Sequence, residues 1–279
     1  MLEVQKSPNL TRRPIAMKFD SERTGPSKNK LVRKTFAMLR SFKSRDEWLT
    51  SLELSQRAHL PKASGHRLVQ TLEEIGAIVR GPNGRYRLGM MFVSLFHNVA
   101  IDELLRGAAA PVLQDVLSSL GFTLHMGILE GGMVTYICKV AGKSGFPAHT
   151  KINAQHEAYC SALGKILLGG LSADSLESFL LDGEFISLTP GTITDRSALR
   201  AEVEKARLLG YAVDHEESSL GVCCVAVPVC DADGHIIAAI SACGETSQMS
   251  GEKQDEAIGA LWAAAKAISQ KLAPLPDPR

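Results

Sequence analysis

The sequence predicts a two-domain α+β protein: a small basic domain of helices closed by a β-hairpin, then a larger acidic domain built on an antiparallel sheet. Three observations carry this. The charge is divided: residues 1–107 hold 19 Lys/Arg against 10 Asp/Glu, net +9, and residues 108–279 hold 12 against 20, net −8, although the whole chain is only +1. Helix-period apolar patterns run up to residue 76, whereas paired strand-like runs alternate with helical ones further on. Asn83-Gly84, Glu130-Gly131-Gly132 and Asp233-Gly234 fall between strand-like runs, as hairpin turns do. At 279 residues there is length for two domains, and at 45% apolar residues there is material for a real core.

Residues 1–28, rich in Ser, Pro, Lys and Arg, are expected to form a disordered basic tail. From Leu31 to Phe42, Val32, Phe36 and Leu39 recur on one helical face. "SLELSQRAHL" (51–60) reads as a second helix, with Leu54 and Ala58 inward and Thr50 or Ser51 as its cap. "LPKASGHRLVQTLEEIG" (60–76) is a third. Pro61 suits its first turn and Gly76 its end. Leu68, Leu72 and Ile75 form the apolar stripe, while Ala63, His66, Gln70 and Glu73 face away, flanked by Lys62 and Arg67. Gly65 costs about 1 kcal/mol relative to alanine inside a helix, which close approach of the preceding helix would explain. His59 stands at the bend between the two helices and tolerates a positive φ better than most residues.

"AIVRGPNGRYRL" (77–88) is a hairpin in which Asn83 and Gly84 both take positive φ, with Arg85 and Arg87 on one face. Three helices followed by a hairpin carrying Arg80, Arg85 and Arg87 is the order of a winged helix-turn-helix, over residues 29–89. In that fold the polar face of the third helix enters the major groove of a double-stranded DNA operator. Lys62, Ser64, His66, Arg67 and Gln70 are the candidate phosphate and base contacts there, with Arg80, Arg85 and Arg87 on the wing.

Residues 90–107 read as one strongly apolar linker helix, with Met91, Leu95 and Val99 along one side and Phe92, Phe96 and Leu104 nearby. So much apolar surface needs a partner, either the chain's own domains or the same helix of a second copy. The second domain, 108–273, opens on a helix at 109–120. Strands follow at 122–129 and 133–140, helices at 157–171 and 197–210, two strands within 223–244, and a helix at 252–272 before a short tail at 274–279.

Six cysteines (138, 160, 223, 224, 230 and 243) form no CxxC and read as reduced, mostly buried thiols. No apolar run is long enough for a membrane span and the N-terminus lacks a signal-peptide pattern, so a cytoplasmic address and no membrane partner are expected. GxSxG, HExxH and Walker motifs are absent, and no metal or other cofactor is expected. The competing readings are an enzyme with a Cys or Ser nucleophile near His125, His149 or His156, and a metal or redox sensor using pairs such as His156 and Cys160, which would share a helix face.

The motifs, taken in order, resemble the IclR (isocitrate lyase regulator) family of bacterial transcription regulators over about residues 30–272. The first half carries "LPKASGHRLVQTLEEIGAIVRGPNGRYRLG"; the second carries "SALGKILL", "ARLLGYAVDHEE", "GVCCVAVPV" and "IIAAISACG". His59, Gly65 and Tyr159 depart from the residues usual in that family. The resemblance implies a GAF-like effector-binding second domain, a linker helix contributing to a homodimer or tetramer, and a small-molecule effector such as an organic acid or aromatic metabolite. It implies effector contacts at Ser161, Ala162, Leu163, Asp214, Cys224, Ser241 and Cys243. Residue chemistry adds detail. Ser241 and Cys243, two apart on a strand, share a face, and of the adjacent Cys223 and Cys224 only one can enter a given cavity. Asp214 would repel a carboxylate unless hydrogen-bonded, protonated or engaged with a ligand hydroxyl.

Overall fold

The computed structural model describes residues 29–44, 47–142 and 150–273, so the expected tails at 1–28 and 274–279 lie outside the described residues. It divides into two compact units between Ile101 and Asp102.

The first unit holds α1 (Lys30–Leu39), α2 (Ser51–Arg57), α3 (Lys62–Glu74), β1 (Ile78–Arg80), β2 (Tyr86–Leu88) and α4 (Met91–Phe96). Thr50 caps α2 with a full capping box: its hydroxyl accepts from Glu53 N while Glu53 reaches back to Thr50 N. The bend between α2 and α3 turns at His59, at φ 53°. A Cβ on Gly65 would lie 2.0 Å from Ser55 Oγ, so the glycine permits the close approach of α2 and α3. Met38, Leu54, Val69, Leu72 and Ile78 fill the core. Two expectations fail here. Of the expected α1 stripe only Leu39 packs against the core; Met38 is the fully buried anchor, and Val32 and Phe36 are exposed. On α3 Val69 replaces Ile75, which is the C-cap residue of the helix and is also exposed.

The hairpin pairs Ile78 with Leu88 and Arg80 with Tyr86. Its turn differs from the one expected: only Gly84 has positive φ, and Gly84 N donates to Gly81 O. Pro82 fixes φ near −65° at the first central position, which rules out the mirror-image turn and leaves an ordinary one closed by a left-handed glycine. Leu49 exchanges two backbone hydrogen bonds with Tyr86, adding a one-residue third strand to the wing.

The linker is not one helix. α4 ends at Phe96 and α5 runs Ile101–Leu120, absorbing the separate 109–120 helix that the sequence implies. At the break, His97 Nδ1 and Asn98 Nδ2 bond back to Val93 O and Ser94 O, competing with helix continuation. Pro111 sits inside α5 without ending it. Leu105, Ala109 and Leu113 make one buried stripe that spans the proline.

The second unit continues with β3 (Thr123–Glu130), β4 (Met133–Val140), β5 (Gln155–Glu157), α6 (Ala162–Gly169), α7 (Ala173–Asp182), α8 (Arg196–Leu209), β6 (Ala212–His215), β7 (Val222–Cys230), β8 (Ile236–Glu245) and α9 (Glu252–Leu272). The antiparallel sheet has the order β5-β4-β3-β8-β7-β6. α9 packs on β7 and β8, and α6 packs on β3, β6, β7 and β8. Alternation sorts the residues: Ala226 and Ala239 join α6 in one core, whereas Cys223 and Val225 point the other way. Three elements were not anticipated. β5 and β6 are too short to show a period, and α7 is an amphipathic helix capped by Ser172. The predicted helix at 157–171 splits into β5, an extended turn and α6, because Ser161 is the extended N-cap of α6.

The α2–α3 contact gives a test. Gly65→Ala should destabilise the first unit by about 1–3 kcal/mol in chemical unfolding, the overlap outweighing alanine's helix preference. In a Ser55→Gly background the same change should cost less, because the opposing Oγ and Cβ are gone.

Candidate DNA-binding face and ligand cavity

On α3, Gly65, Leu68, Val69 and Leu72 are buried, which leaves Lys62, His66, Arg67 and Gln70 exposed and Ser64 half-buried. These five lie at the start and along the outer side of one helix. Arg80, Arg85 and Arg87 are exposed on the wing. Two of the three are tied to their own domain. Arg85 Nη1 donates to Trp48 O at 2.9 Å and lies 3.6 Å from Glu53 Oε2. The Arg87 guanidinium stacks over the Trp48 ring at 4.9 Å. Trp48, which the sequence reading did not single out, thereby orients two basic side chains of the wing.

The seven candidate effector residues lie on four separate segments, and all seven line one cavity of about 460 Å³ in the second unit. Strand register does most of this. Asp214 pairs with Cys224, Cys224 with Cys243 and Cys243 with Thr123, giving one row across β6, β7, β8 and β3. The next row holds Ala212, Ala226, Ser241 and His125. Cys224 lines the cavity while Cys223 is fully buried on the other face, as alternation requires.

The start of α6 forms another wall. Ser161 Oγ accepts from Gly164 N at 3.1 Å, and Lys165 N donates to Ser161 O. The N–H groups of Ala162 and Leu163 therefore have no partner within the helix, and both residues line the cavity. A Cβ on Gly164 would lie 2.0 Å from Ala158 O, so the glycine lets the helix start this close to the preceding turn.

Sequence reasoning missed the aromatic side of the cavity. His125, Tyr136 and His156 line it together, with ring centroids 5.1 Å apart for His125–Tyr136 and 6.3 Å for Tyr136–His156. Thr150, Gln155 and the loop residues Ser218, Ser219 and Leu220 also line it. The period-2 pattern of "TLHMGIL" could have identified His125 as facing the same side as Gly127; nothing local marks Tyr136, because a bulge at Met126/Gly127 shifts its register.

Electrostatics separate the polar groups. Burial, helped by the charge of Lys139, drives His125 down to about 3, so it stays neutral, and its Nε2 is 2.7 Å from Thr150 Oγ1. Burial also lowers His156. Asp214 Oδ1 accepts from Glu217 N and Oδ2 from Ser218 Oγ, both at 2.8 Å. Burial nonetheless raises its carboxyl to about 6, against the pull of those hydrogen bonds. No Lys or Arg lines the cavity among the described residues.

The thiols do not favour the nucleophile reading. All six cysteines are free, and burial pushes Cys138, Cys160, Cys223 and Cys230 up, Cys160 to about 12. The Cys224 thiol is raised chiefly by its hydrogen bond with Cys243. That is away from the thiolate. Ser161 Oγ donates to Glu157 O and serves as a cap. His156 and Cys160 do not share a helix, since one is on β5 and the other precedes α6. His149 lies outside the described residues. Among the described residues no three His, Cys, Asp or Glu side chains are grouped to hold a metal ion, and no helix is long and apolar enough to cross a membrane.

A helix-turn-helix unit with a basic wing, followed by an α+β unit that holds a cavity, is the arrangement of a DNA-binding transcription regulator. Family comparison agrees: residues 31–82 match the IclR helix-turn-helix domain and residues 98–270 match the bacterial transcriptional regulator IclR C-terminal domain. The chain belongs to the IclR family. It is 34% identical over 219 residues to the Escherichia coli regulator XynR, covering 78% of this chain and 87% of that protein. The crystal structure of Thermotoga maritima IclR superposes with a TM-score of 0.59 at 28% identity, covering 86% of this chain and 98% of that one. An IclR homologue from Microbacterium hydrocarbonoxydans, solved in complex with 4-hydroxybenzoate, has the same fold: TM-score 0.58 at 24% identity, covering 86% of this chain and 98% of that one.

Asp214 makes stability pH-dependent in a defined direction. Its folded pKa lies above its unfolded value of about 3.9, so the folded state binds the proton more tightly. The stabilisation is present near pH 4, lost as pH rises to about 6 and absent above. Asp214→Asn should therefore gain stability relative to wild type across that window, by up to about 3 kcal/mol, then run parallel to it. Thermal unfolding from pH 4 to 7.5 measures this.

Proposed function

We propose that this chain binds a palindromic operator as a homodimer or tetramer, in the cytoplasm, and that a small organic acid in the cavity of the second unit shifts its operator affinity. The observation that carries the proposal is the convergence of Ser161–Leu163, Asp214, Cys224, Ser241 and Cys243 on one cavity whose wall includes the start of α6. Two unpaired backbone N–H groups at the positive end of a helix favour an anion. Ser241, Tyr136, His125 and Gln155 offer hydroxyl, imidazole and amide partners for hydroxyl groups, and the rings of Tyr136 and His156 suit an aromatic or otherwise flat ligand. With no Lys or Arg on the described wall, one carboxylate is the charge the site can accommodate. Because a distant relative binds 4-hydroxybenzoate, that molecule heads a thermal-shift screen of hydroxylated and aromatic acids.

Dimerisation rests on the apolar residues that α4 and its flanks leave exposed: Met90, Val93, Leu95, Phe96, Val99 and Leu104. In the DNA complex Arg67 and Gln70 read base edges, Lys62, Ser64 and His66 hold the phosphates at the helix start, and Arg80, Arg85 and Arg87 follow the backbone. Ligand acts only through a difference in its affinity for the DNA-competent and DNA-incompetent states.

Two outcomes test this. Gln70→Ala should weaken operator binding by about 1–3 kcal/mol and leave binding to random DNA nearly unchanged. Lys62→Ala should weaken both and lower the salt slope by about one. Equal losses on both DNAs for Gln70→Ala in a gel shift would remove its base-reading role. Ser241→Leu, which fills the cavity, and Asp214→Ala, which frees the 216–221 loop, should abolish or alter the ligand response while ligand-free operator affinity stays within about twofold, or roughly 0.4 kcal/mol. If both keep the full response, the ligand binds elsewhere.

A further inference from the structure

Lys165 is fully buried, at 1% accessible as little exposed as Asp214, and it does not line the cavity. It lies one helical turn past the Ser161 cap on α6. Its Nζ donates to Glu217 Oε1 at 2.5 Å and to Val213 O at 3.0 Å, with Glu202 Oε2 at 3.8 Å. Glu217 is itself buried, and its second carboxylate oxygen has no hydrogen-bond partner. A pair in this state is a poor source of stability: buried ion pairs can often be replaced by apolar residues of similar volume at no loss. Its geometry has a different consequence. Glu217 N is the donor to Asp214 Oδ1, and Glu217 O accepts from Thr192 Oγ1 at 2.6 Å. Its neighbour Glu216 takes a left-handed φ of 59°, which a non-glycine residue holds only when its surroundings enforce it. The following residues Ser218, Ser219 and Leu220 line the cavity, and Leu220 is largely solvent-exposed, so this segment is a rim.

We propose that Lys165 and Glu217 are positioning residues of the ligand cavity: their buried ion pair ties the start of α6 to the 216–221 segment, and so fixes Asp214's hydrogen bonds and the rim. The relevance to sensing rests on the cavity being the effector site. The positioning itself does not, and it is tested without ligand. The full-length protein is compared with Lys165→Met/Glu217→Leu, an apolar pair of similar volume, and with Glu217→Gln, which keeps an oxygen facing the ammonium. The readouts are melting temperature, hydrogen exchange of the Glu217 and Ser218 amides, and the rate at which iodoacetamide alkylates Cys224 inside the cavity, followed by peptide mass spectrometry. The double variant should melt close to wild type yet exchange and alkylate about tenfold faster, a local loss of about 1.4 kcal/mol. Glu217→Gln should stay within about twofold of wild type on both rates. Wild-type rates in a folded double variant would overturn the proposal. So would a double variant that fails to fold, or equal acceleration in both variants with a matching fall in melting temperature, because the pair would then carry stability and not position.

Discussion

The antiparallel register across β6, β7, β8 and β3 is the constraint on which the second unit depends. Residues of one row project to the same side, so fixing Asp214 opposite Cys224, Cys224 opposite Cys243 and Cys243 opposite Thr123 also fixes Ala226 opposite Ser241 and Ser241 opposite His125. A slip of one residue on any of these strands would turn its whole set to the α9 side and empty the cavity wall. The apolar residues of the other face, Val225, Val227, Ile240 and Ala242, are fully buried and hold the register in place. The polar chemistry of the cavity is thus positioned by hydrophobic packing behind it.

Against that wall the chain brings a helix start, and small residues make it possible. Gly164 admits Ala158 O where a side chain would collide, and Ala226 and Ala239 leave room for α6 on the sheet. The first unit uses the same device at Gly65 against Ser55, to bring α3 close to α2 while its polar side stays outward. Its wing gains rigidity by other means: the Leu49–Tyr86 backbone pair and the contacts of Trp48 with Arg85 and Arg87.

Burial sets the charge state of the cavity. It keeps His125 neutral, raises Asp214 and occupies both oxygens of that carboxylate with Glu217 N and Ser218 Oγ. Asp214 therefore acts first on its own loop. The repulsion it would offer a carboxylate is reduced by those two donors, and the helix start on the opposite segment supplies the attraction.

The sequence by itself determined what is local or periodic. The α3 polar face, the wing with its arginines, the capping of α2 at Thr50 or Ser51, the close approach at Gly65, the bend at His59 and the shared face of Ser241 and Cys243 all follow from composition at fixed spacing, because helix and strand periods are properties of the backbone. The convergence of the seven cavity residues was legible only through likeness to a family, since nothing in the spacing of residue 161 to residue 243 says that they meet. Other features were decided by tertiary structure alone. The continuation of α5 through Pro111 goes with the buried stripe of Leu105, Ala109 and Leu113 on either side of the proline. Met38 and Val69 displaced the expected Phe36 and Ile75 because a periodic stripe is wider than the core that receives it. The roles of Tyr136 and Lys165 depend on a bulge and on a partner 52 residues away, and long-range pairing of that kind leaves no trace in a local pattern.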